Sequence, residues 1–183
     1  MALPFPFPCF LPFVVRETCV LNPDSELAGL MGRFPRPGRV EWIGVRPRHR
    51  VEVVALAGVN AVTDVGLEGD HHARAGGNRQ VTLIQAEHLK VVASIVGREQ
   101  VQPDWLRRNI LVSGISVHAL RDRRFRIGEA LLEGTGACEP CSRMEAALGP
   151  GGYNAMRGHG GITARILEGG MIRLGDAVSV AAL

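Results

Sequence analysis

The chain contains 183 residues, of which 46% are hydrophobic and 21% are charged. This composition is typical of one globular domain with a sizeable core, and it excludes collagen, a coiled coil and general disorder. The 23 glycines and 11 prolines favour short strands and loops over long helices.

The net charge of +3 at pH 7 comes from one short segment of the chain. Residues 31–50 contain six arginines and one glutamate, interrupted by Pro35, Pro37 and Pro47. Proteins that bind nucleic acid usually spread their basic residues over a face of the folded domain. We therefore expect no nucleic-acid partner.

Neither a membrane span nor a secretory signal is expected. The sequence lacks the run of about 18 apolar residues that a membrane-spanning helix needs. Its most apolar segment, residues 1–15, contains four prolines and has no positive residue ahead of it. The pattern indicates a cytoplasmic protein without a membrane partner, whose four cysteines stay reduced.

Two parts of the chain differ in pattern. Residues 1–30 show neither strand alternation nor a helical period, so residues 1–37 are interpreted as a leader, either disordered or the product of a misassigned start. Met31 is the alternative first residue. From Gly38 onward the pattern predicts one domain over residues 38–180, mainly β with a few short helices and barrel-like.

In chain order, strands are predicted around Val40 and Trp42 and again over residues 51–56. The glycine-rich residues 58–79 are predicted to form a long functional loop, followed by a strand over Gln80–Ile84. Residues 85–96 place apolar side chains at helical spacing, which predicts an amphipathic helix ended by Gly97.

The second half continues with a strand over Asn109–Val112, which puts Arg107 and Arg108 at a strand entrance. Residues 126–130 and 173–177 share one glycine-containing turn pattern between strand residues, as in a barrel. Pro140 is predicted at the first position of a further helix, with Cys141 in its first turn.

Cys138 and Cys141 form a C-x-x-C pair that allows four interpretations. They can be a redox pair, half of a zinc site, one working thiol beside an incidental neighbour, or two small buried hydrophobes. Zinc would need two further ligands from among His71, His72, His88, His118 and His159. In the single-thiol interpretation, the helix N-terminus and Arg143 would both favour a thiolate at Cys141.

Five motifs, in this order, resemble a MOSC domain, the domain named for the C-terminal part of molybdenum cofactor sulfurases. They are Gly69-Asp70-His71-His72, Gly77-Asn78-Arg79-Gln80-Val81, Arg107-Arg108-Asn109-Ile110, Pro140-Cys141-Ser142-Arg143-Met144 and Gly160-Gly161-Ile162. The likeness covers about residues 38–180. It implies a β-barrel-like fold with one reactive cysteine, and Cys141 matches that cysteine.

The resemblance implies a molybdenum cofactor (molybdopterin) with Cys141 as metal ligand and catalytic residue. Relatives of this kind reduce N-hydroxylated small molecules with electrons from a reductase. The implied cofactor-binding residues are Arg107, Arg108, Asn109, Asp70, His72, Arg79 and Arg143. The physical chemistry agrees, because thiolate is a soft metal ligand and guanidinium groups suit a phosphate.

Two alternatives remain at this point. In one, Cys141 carries a persulfide received from a desulfurase that depends on pyridoxal phosphate. That cofactor is then only a family-level association, since Lys90 is the single lysine and is predicted on the polar face of a helix. In the other, the domain is a scaffold without redox chemistry. The roles of Cys138 and His159 stay open.

Overall fold

The computed structural model describes Asn22 and residues 24–181. The chain forms two units, residues 1–33 and residues 34–183. Most of the predicted leader, residues 1–21 and 23, lies outside the described residues. The described part of the first unit contains a helix that the sequence reasoning missed, α1 (Glu26–Met31), where the Ser25 side chain accepts a hydrogen bond from the Ala28 amide and caps the helix.

The described part of the second unit, residues 34–181, contains eleven strands. In chain order they are β1 (Gly38–Val45), β2 (Val54–Leu56), β3 (Gly58–Val62), β4 (Gly66–Leu67), β5 (Val81–Gln85), β6 (Ile110–Ser113), β7 (Arg124–Ile127), β8 (Ala130–Ala137), β9 (Ile162–Glu168), β10 (Gly170–Arg173) and β11 (Ala177–Val180). Its helices are α2 (Ala86–Ile95), α3 (Ser142–Leu148) and α4 (Gly152–Ala155). Short 3₁₀ turns cover Pro103–Leu106 and Val117–Leu120.

Seven strands close into a barrel in the order β1-β6-β5-β9-β8-β7-β11, and β11 pairs again with β1. The β5–β6 pair is parallel and the other pairs of the ring are antiparallel. Strand β2 pairs with the end of β1, and a second sheet has the order β10-β3-β4. The predicted fold class, mainly β with a few short helices and a barrel, is confirmed.

Two layers of core hold the site in place. The barrel interior is filled by side chains such as Phe125 and Leu83, which are fully buried. On the outside, α2 and α3 pack on the barrel through a second cluster that includes Ile84, Val92 and Met144. Strand β5 is therefore buried on both faces, because Leu83 points inward and Ile84 faces the helices.

The local turn chemistry explains one hairpin. In the turn between β7 and β8, Ile127 pairs with Ala130 across a two-residue connection. Gly128 adopts φ +55° there, a conformation that costs glycine little. The repeated glycine turn predicted for residues 126–130 is therefore a real hairpin.

Two sequence predictions were wrong in detail. Residues 58–79 are not one loop, because β3 and β4 lie within them and β3 pairs with β10, more than 100 residues later. Pro140 is not the first helical residue, since α3 begins at Ser142 with Cys141 as its N-cap. The chain stays extended before α3 because the Cys138 amide donates to the Gly161 carbonyl at 2.9 Å.

Within residues 24–181, no helix combines the length and the apolar character needed to cross a bilayer. The longest helix of the second unit, α2, has 10 residues.

A histidine of α2, His88, packs against His159 in the segment after α4. The rings of His88 and His159 meet edge to face with centroids 4.8 Å apart. The Nδ1 atom of each ring is buried and has no hydrogen-bond partner within the described residues. Burial lowers the pKa of His88 and His159 lowers it further, whereas Glu87 opposes the shift. The pair therefore favours the neutral form of His88 in the folded state.

This predicts a loss of stability on mild acidification. As pH falls through the unfolded histidine pKa of about 6.5, the unfolded chain binds a proton more readily than folded His88 does. The free energy of unfolding should therefore decrease between pH 7.5 and 5.5, and the decrease should be smaller in His88→Gln. Urea denaturation of both proteins across this pH range measures it. Equal slopes for wild type and variant would contradict the prediction.

Candidate functional site

A cleft of about 450 Å³ opens at the end of the barrel where β1 and β8 end and β5 and β6 begin. Its lining residues come from these strand ends, from the loops around residues 46–49 and 72–79, and from the start of α3. They are Arg46, His49, His72, Arg79, Gln80, Thr82, Arg107, Arg108, Asn109, Cys138, Glu139, Cys141, Arg143 and Met144.

The cleft brings together seven of the eight site residues named from the sequence: His72, Arg79, Arg107, Arg108, Asn109, Cys141 and Arg143. The eighth, Asp70, does not line the cleft. Its side chain is 3% exposed and lies behind the lining residues. His159 is also absent from the lining and packs on His88 instead.

Asp70 organises the loop behind the cleft. Its Oδ1 accepts a hydrogen bond from the His72 amide at 2.8 Å. Its Oδ2 accepts one from the Arg46 amide and one from Asn109 Nδ2, each at 3.0 Å. One buried carboxylate thus ties the end of β1, the 70–72 loop and the start of β6 to each other. Asp70 is therefore a positioning residue.

Asn109 completes the same network. Its Oδ1 accepts from the Thr82 amide at 3.1 Å and from the Thr82 hydroxyl at 2.8 Å. Its Nδ2 donates to the Gly44 carbonyl at 3.1 Å as well as to Asp70. Both amide hydrogens are thereby engaged within the protein. Asn109 lines the cleft, and its bonds hold three strand ends in register.

Arg108 holds the floor of the cleft. Its Nε, Nη1 and Nη2 donate to the carbonyls of Gly160, Leu106 and Cys138 at 2.8, 3.0 and 3.2 Å. The residue is 7% exposed, so these bonds offset part of the cost of burying its charge. Arg108 thus joins the segment after α4 to the end of β8. Its neighbour Arg107 is half-buried and adopts a left-handed conformation with φ +58°.

The two cysteines of the C-x-x-C pair differ in exposure. Cys141 is exposed, whereas Cys138 is 4% exposed, and both line the cleft. Among residues 24–181, no three His, Cys, Asp or Glu side chains lie where they could hold a metal ion together. The described residues therefore do not supply the ligand set of a structural zinc site. The arrangement presents Cys141 as an accessible thiol.

Sequence reasoning missed several lining residues, above all Arg46 and His49. Both belong to the arginine-rich segment 31–50, for which the sequence predicted a local excess of positive charge and a strand but no site residue. Arg46 directly follows β1, so its position at a strand end was a usable signal. The loop that brings His49 to the cleft had no such signal in the sequence.

The cleft is electrostatically positive. Five arginines and one carboxylate, that of Glu139, line it. Burial lowers the pKa of His72, and His71 and Arg46 lower it further. Desolvation and the Arg143 guanidinium likewise lower the pKa of His49. These shifts favour the neutral form of both histidines, so the positive charge of the cleft belongs to guanidinium groups, which bind oxyanions and phosphates well.

The fold and the cleft define a small β-barrel domain that presents one exposed thiol among arginines. The sequence profile of the MOSC domain matches residues 68–179, which is more than half of the chain. The chain therefore belongs to the MOSC domain family, and the resemblance noted from its motifs is confirmed.

Solved structures of low sequence identity share the fold. YuaD from Bacillus subtilis is 19% identical with a TM-score of 0.71, and the match covers 82% of this chain and 100% of that one. YiiM from Geobacillus stearothermophilus is 18% identical with a TM-score of 0.66, covering 80% and 76% of the two chains. YiiM from Escherichia coli is 19% identical with a TM-score of 0.60, covering 79% and 70%. No curated protein matches the chain.

Proposed function

We propose that this protein binds a molybdenum cofactor in the cleft through the Cys141 thiolate and reduces N-hydroxylated small molecules. The observation that carries the proposal is the exposed Cys141 thiol at a cleft lined by five arginines. The MOSC family is associated with the molybdenum cofactor, which supports the same conclusion.

The residues present fit such a cofactor. The cleft volume of about 450 Å³ lies within the range of small-molecule sites, roughly 300–1,000 Å³. Cys141 supplies a soft sulfur ligand for the metal. The side chains of Arg79 and Arg107 line the cleft and make no ion pair within residues 24–181, so their guanidinium groups are free to bind a phosphate.

The residues of the chain would divide the work as follows. Cys141 would hold the metal, and Arg79 and Arg107 would hold the phosphate. Arg108 and Asn109 keep the floor and the strand ends in place through their backbone and side-chain hydrogen bonds. When bound, the cofactor would supply a metal centre that passes electrons to the N–O group of the substrate. Reduction of an N–OH group to N–H and water consumes two electrons and two protons, so a separate electron-donating reductase is required. The cytoplasm suits this role, because thiols stay reduced there.

A second candidate is a persulfide carrier. The exposure of Cys141 favours it, since a desulfurase dependent on pyridoxal phosphate must bring its own cysteine persulfide to the acceptor thiol. In that case Cys141 would take over one sulfur atom and pass it on without a metal. Incubation with a cysteine desulfurase and cysteine, followed by mass spectrometry, would show the mass of one added sulfur atom on Cys141.

Metal content distinguishes the two candidates. We expect near-stoichiometric molybdenum and a fluorescent oxidised pterin in wild-type protein from a host that makes the cofactor. In Cys141→Ala both should fall to background, because the ligand to the metal is gone. Cys138→Ala is the matched control and should retain its molybdenum. Elemental analysis of the three proteins, with zinc measured in parallel, tests this.

Each other outcome contradicts the proposal in a defined way. Absence of molybdenum from wild type would favour the persulfide carrier. Equal loss in Cys138→Ala and Cys141→Ala would indicate that both thiols share the ligation. Stoichiometric zinc would indicate that the C-x-x-C pair binds zinc, with the other ligands supplied from outside the described residues.

A further inference from the structure

We propose that Arg46 and Arg143 form an oxyanion-binding subsite beside Cys141, and that this subsite takes an acidic group, such as a carboxylate, of the small-molecule substrate. The inference deepens the proposed function by naming the charge class of its substrate. It rests on the proposed function only in calling the ligand of the cleft a substrate, because anion binding itself needs neither metal nor pterin.

Arg46 carries the strongest evidence. Its side chain lines the cleft, yet the residue is only 6% exposed. Its Nη1 atom is buried and has no hydrogen-bond partner within the described residues. Burying a guanidinium group without partners is costly, and folded proteins normally satisfy such donors. An anion in the cleft would balance the charge of this guanidinium group.

The Asp70 carboxylate does not pair with this guanidinium group. Asp70 accepts from the Arg46 backbone amide, and its two oxygens also serve His72 and Asn109. No ion pair within 4.0 Å joins the Arg46 guanidinium to a carboxylate among the ion pairs of the described residues. Burial lowers the pKa of Arg46, Asp70 opposes this shift, and Arg143 and Arg108 lower the pKa further. The charge of Arg46 is thus only partly balanced by the protein.

Arg143 and His49 form the second wall of the subsite. Arg143 lies in the first turn of α3, two residues after Cys141, and its Nη2 is 3.4 Å from His49 Nε2. Both residues line the cleft together with Arg46. The like charges of Arg46 and Arg143 repel each other in the absence of a ligand. A bound oxyanion would relieve this repulsion and accept hydrogen bonds from both guanidinium groups.

The chemistry of the groups selects the ligand class. Guanidinium groups match the planar geometry of a carboxylate and can bind it through two parallel hydrogen bonds. A cationic substrate would meet five arginines in the cleft and be repelled. N-hydroxylated compounds that also carry a carboxylate should therefore be preferred over cationic ones.

Benzoate is a suitable probe, because it carries a carboxylate and no reducible N–O bond, and benzamide is its neutral analogue. Binding is measured by isothermal titration on the full chain, both loaded with cofactor and free of it. We expect benzoate to bind wild type in both forms and more tightly than benzamide. Arg46→Gln and Arg143→Gln should each weaken benzoate binding by roughly tenfold or more, because each removes a charge-assisted hydrogen bond. Arg46→Lys keeps the charge but loses the planar pair of N–H donors, so its affinity for benzoate should lie between those of wild type and Arg46→Gln.

Arg126→Gln is the matched control. Arg126 is exposed on β7 and pairs with Glu168 at 2.8 Å, so its loss changes the net charge equally without touching the cleft. It should leave benzoate binding unchanged. Thermal unfolding of each variant checks that it is folded. If Arg46→Gln does not fold, Arg143→Gln alone tests the proposal, since Arg143 is less buried than Arg46.

Three results would overturn the inference. Equal binding of benzoate and benzamide would remove the preference for an anion. Unchanged benzoate binding in Arg46→Gln and Arg143→Gln would place the anion elsewhere. Loss of benzoate binding on loading with cofactor would assign the subsite to the phosphate of the cofactor instead of the substrate. None of these results depends on whether the protein reduces N-hydroxylated compounds, so failure of the proposed function would be recognised separately.

Discussion

Gly161→Ala is expected to destabilise the protein by more than about 4 kcal/mol or to prevent folding. Gly161 adopts φ +84°, and a Cβ atom there would overlap the Leu83 carbonyl oxygen and the Ile84 backbone on β5. These are backbone atoms of a buried central strand, so they cannot move aside as a flexible side chain could. The close approach of the segment after α4 to β5 therefore requires glycine at this position.

Gly158→Ala provides the matched control for this prediction. Gly158 has a similar φ of +77°, but a Cβ atom there would meet nothing within 4 Å. Its substitution should cost only the left-handed backbone penalty of about 1 kcal/mol. Guanidinium denaturation of both variants measures the difference. Similar free energies of unfolding for the two variants would show that backbone conformation, and not close packing on β5, decides the effect.

Gly161→Ala is also expected to change the structure of the cleft. The preceding residue, Gly160, accepts the hydrogen bond from Arg108 Nε, and the Cys138 amide donates to the Gly161 carbonyl. A displaced segment would release both bonds and alter the floor of the cleft. A partly folded Gly161→Ala protein should therefore also fail to bind the proposed molybdenum cofactor.

Asp70→Asn should lower the free energy of unfolding by about 3 kcal/mol, in the range for hydrogen bonds to buried charged groups. The substitution keeps the shape of the side chain. However, it replaces one carboxylate oxygen with an NH₂ group in a place where three N–H donors converge, those of Arg46, His72 and Asn109. At least one donor would lose its acceptor and face another donor.

The same variant should weaken ligand binding in the cleft. Asp70 connects the backbone of Arg46 to the 70–72 loop and to Asn109, so its loss frees the ends of β1 and β6 that carry cleft residues. Urea denaturation together with benzoate titration measures both effects. Asp122→Asn is the control, because Asp122 is exposed with φ +58°, a conformation that asparagine tolerates well. Equal stabilities of the two variants would contradict the role assigned to Asp70.

Local signals in the sequence were sufficient for the elements that form from their own residues. The helical spacing of residues 85–96 predicted α2, and the glycine turn over residues 126–130 predicted the β7–β8 hairpin. Both depend on periodicity or turn geometry within a few residues. Likewise, the motif residues predicted for the site were mostly brought to one cleft, with Cys141 exposed in it.

The sequence was less informative where an element depends on distant partners. Part of the glycine-rich segment forms strand β3 because it pairs with β10, which lies more than 100 residues later in the chain. No local sequence pattern predicts so distant a partner. The start of α3 was misplaced for a similar reason, because the hydrogen bond between Cys138 and Gly161 keeps the residues before it extended. In both cases tertiary contacts overrode local propensity.

The sequence by itself determined the family and the mainly β character of the chain, because these follow from short motifs and local periodicity. Only the tertiary structure decided the closure of the barrel through β1 and β11, the burial of Asp70 behind the cleft and the position of Arg46 within it. Closure depends on hydrogen bonds between the two ends of the domain, and the burial of a charge depends on everything packed around it. Neither barrel closure nor the burial of a charge can be deduced from residues that are neighbours in the chain.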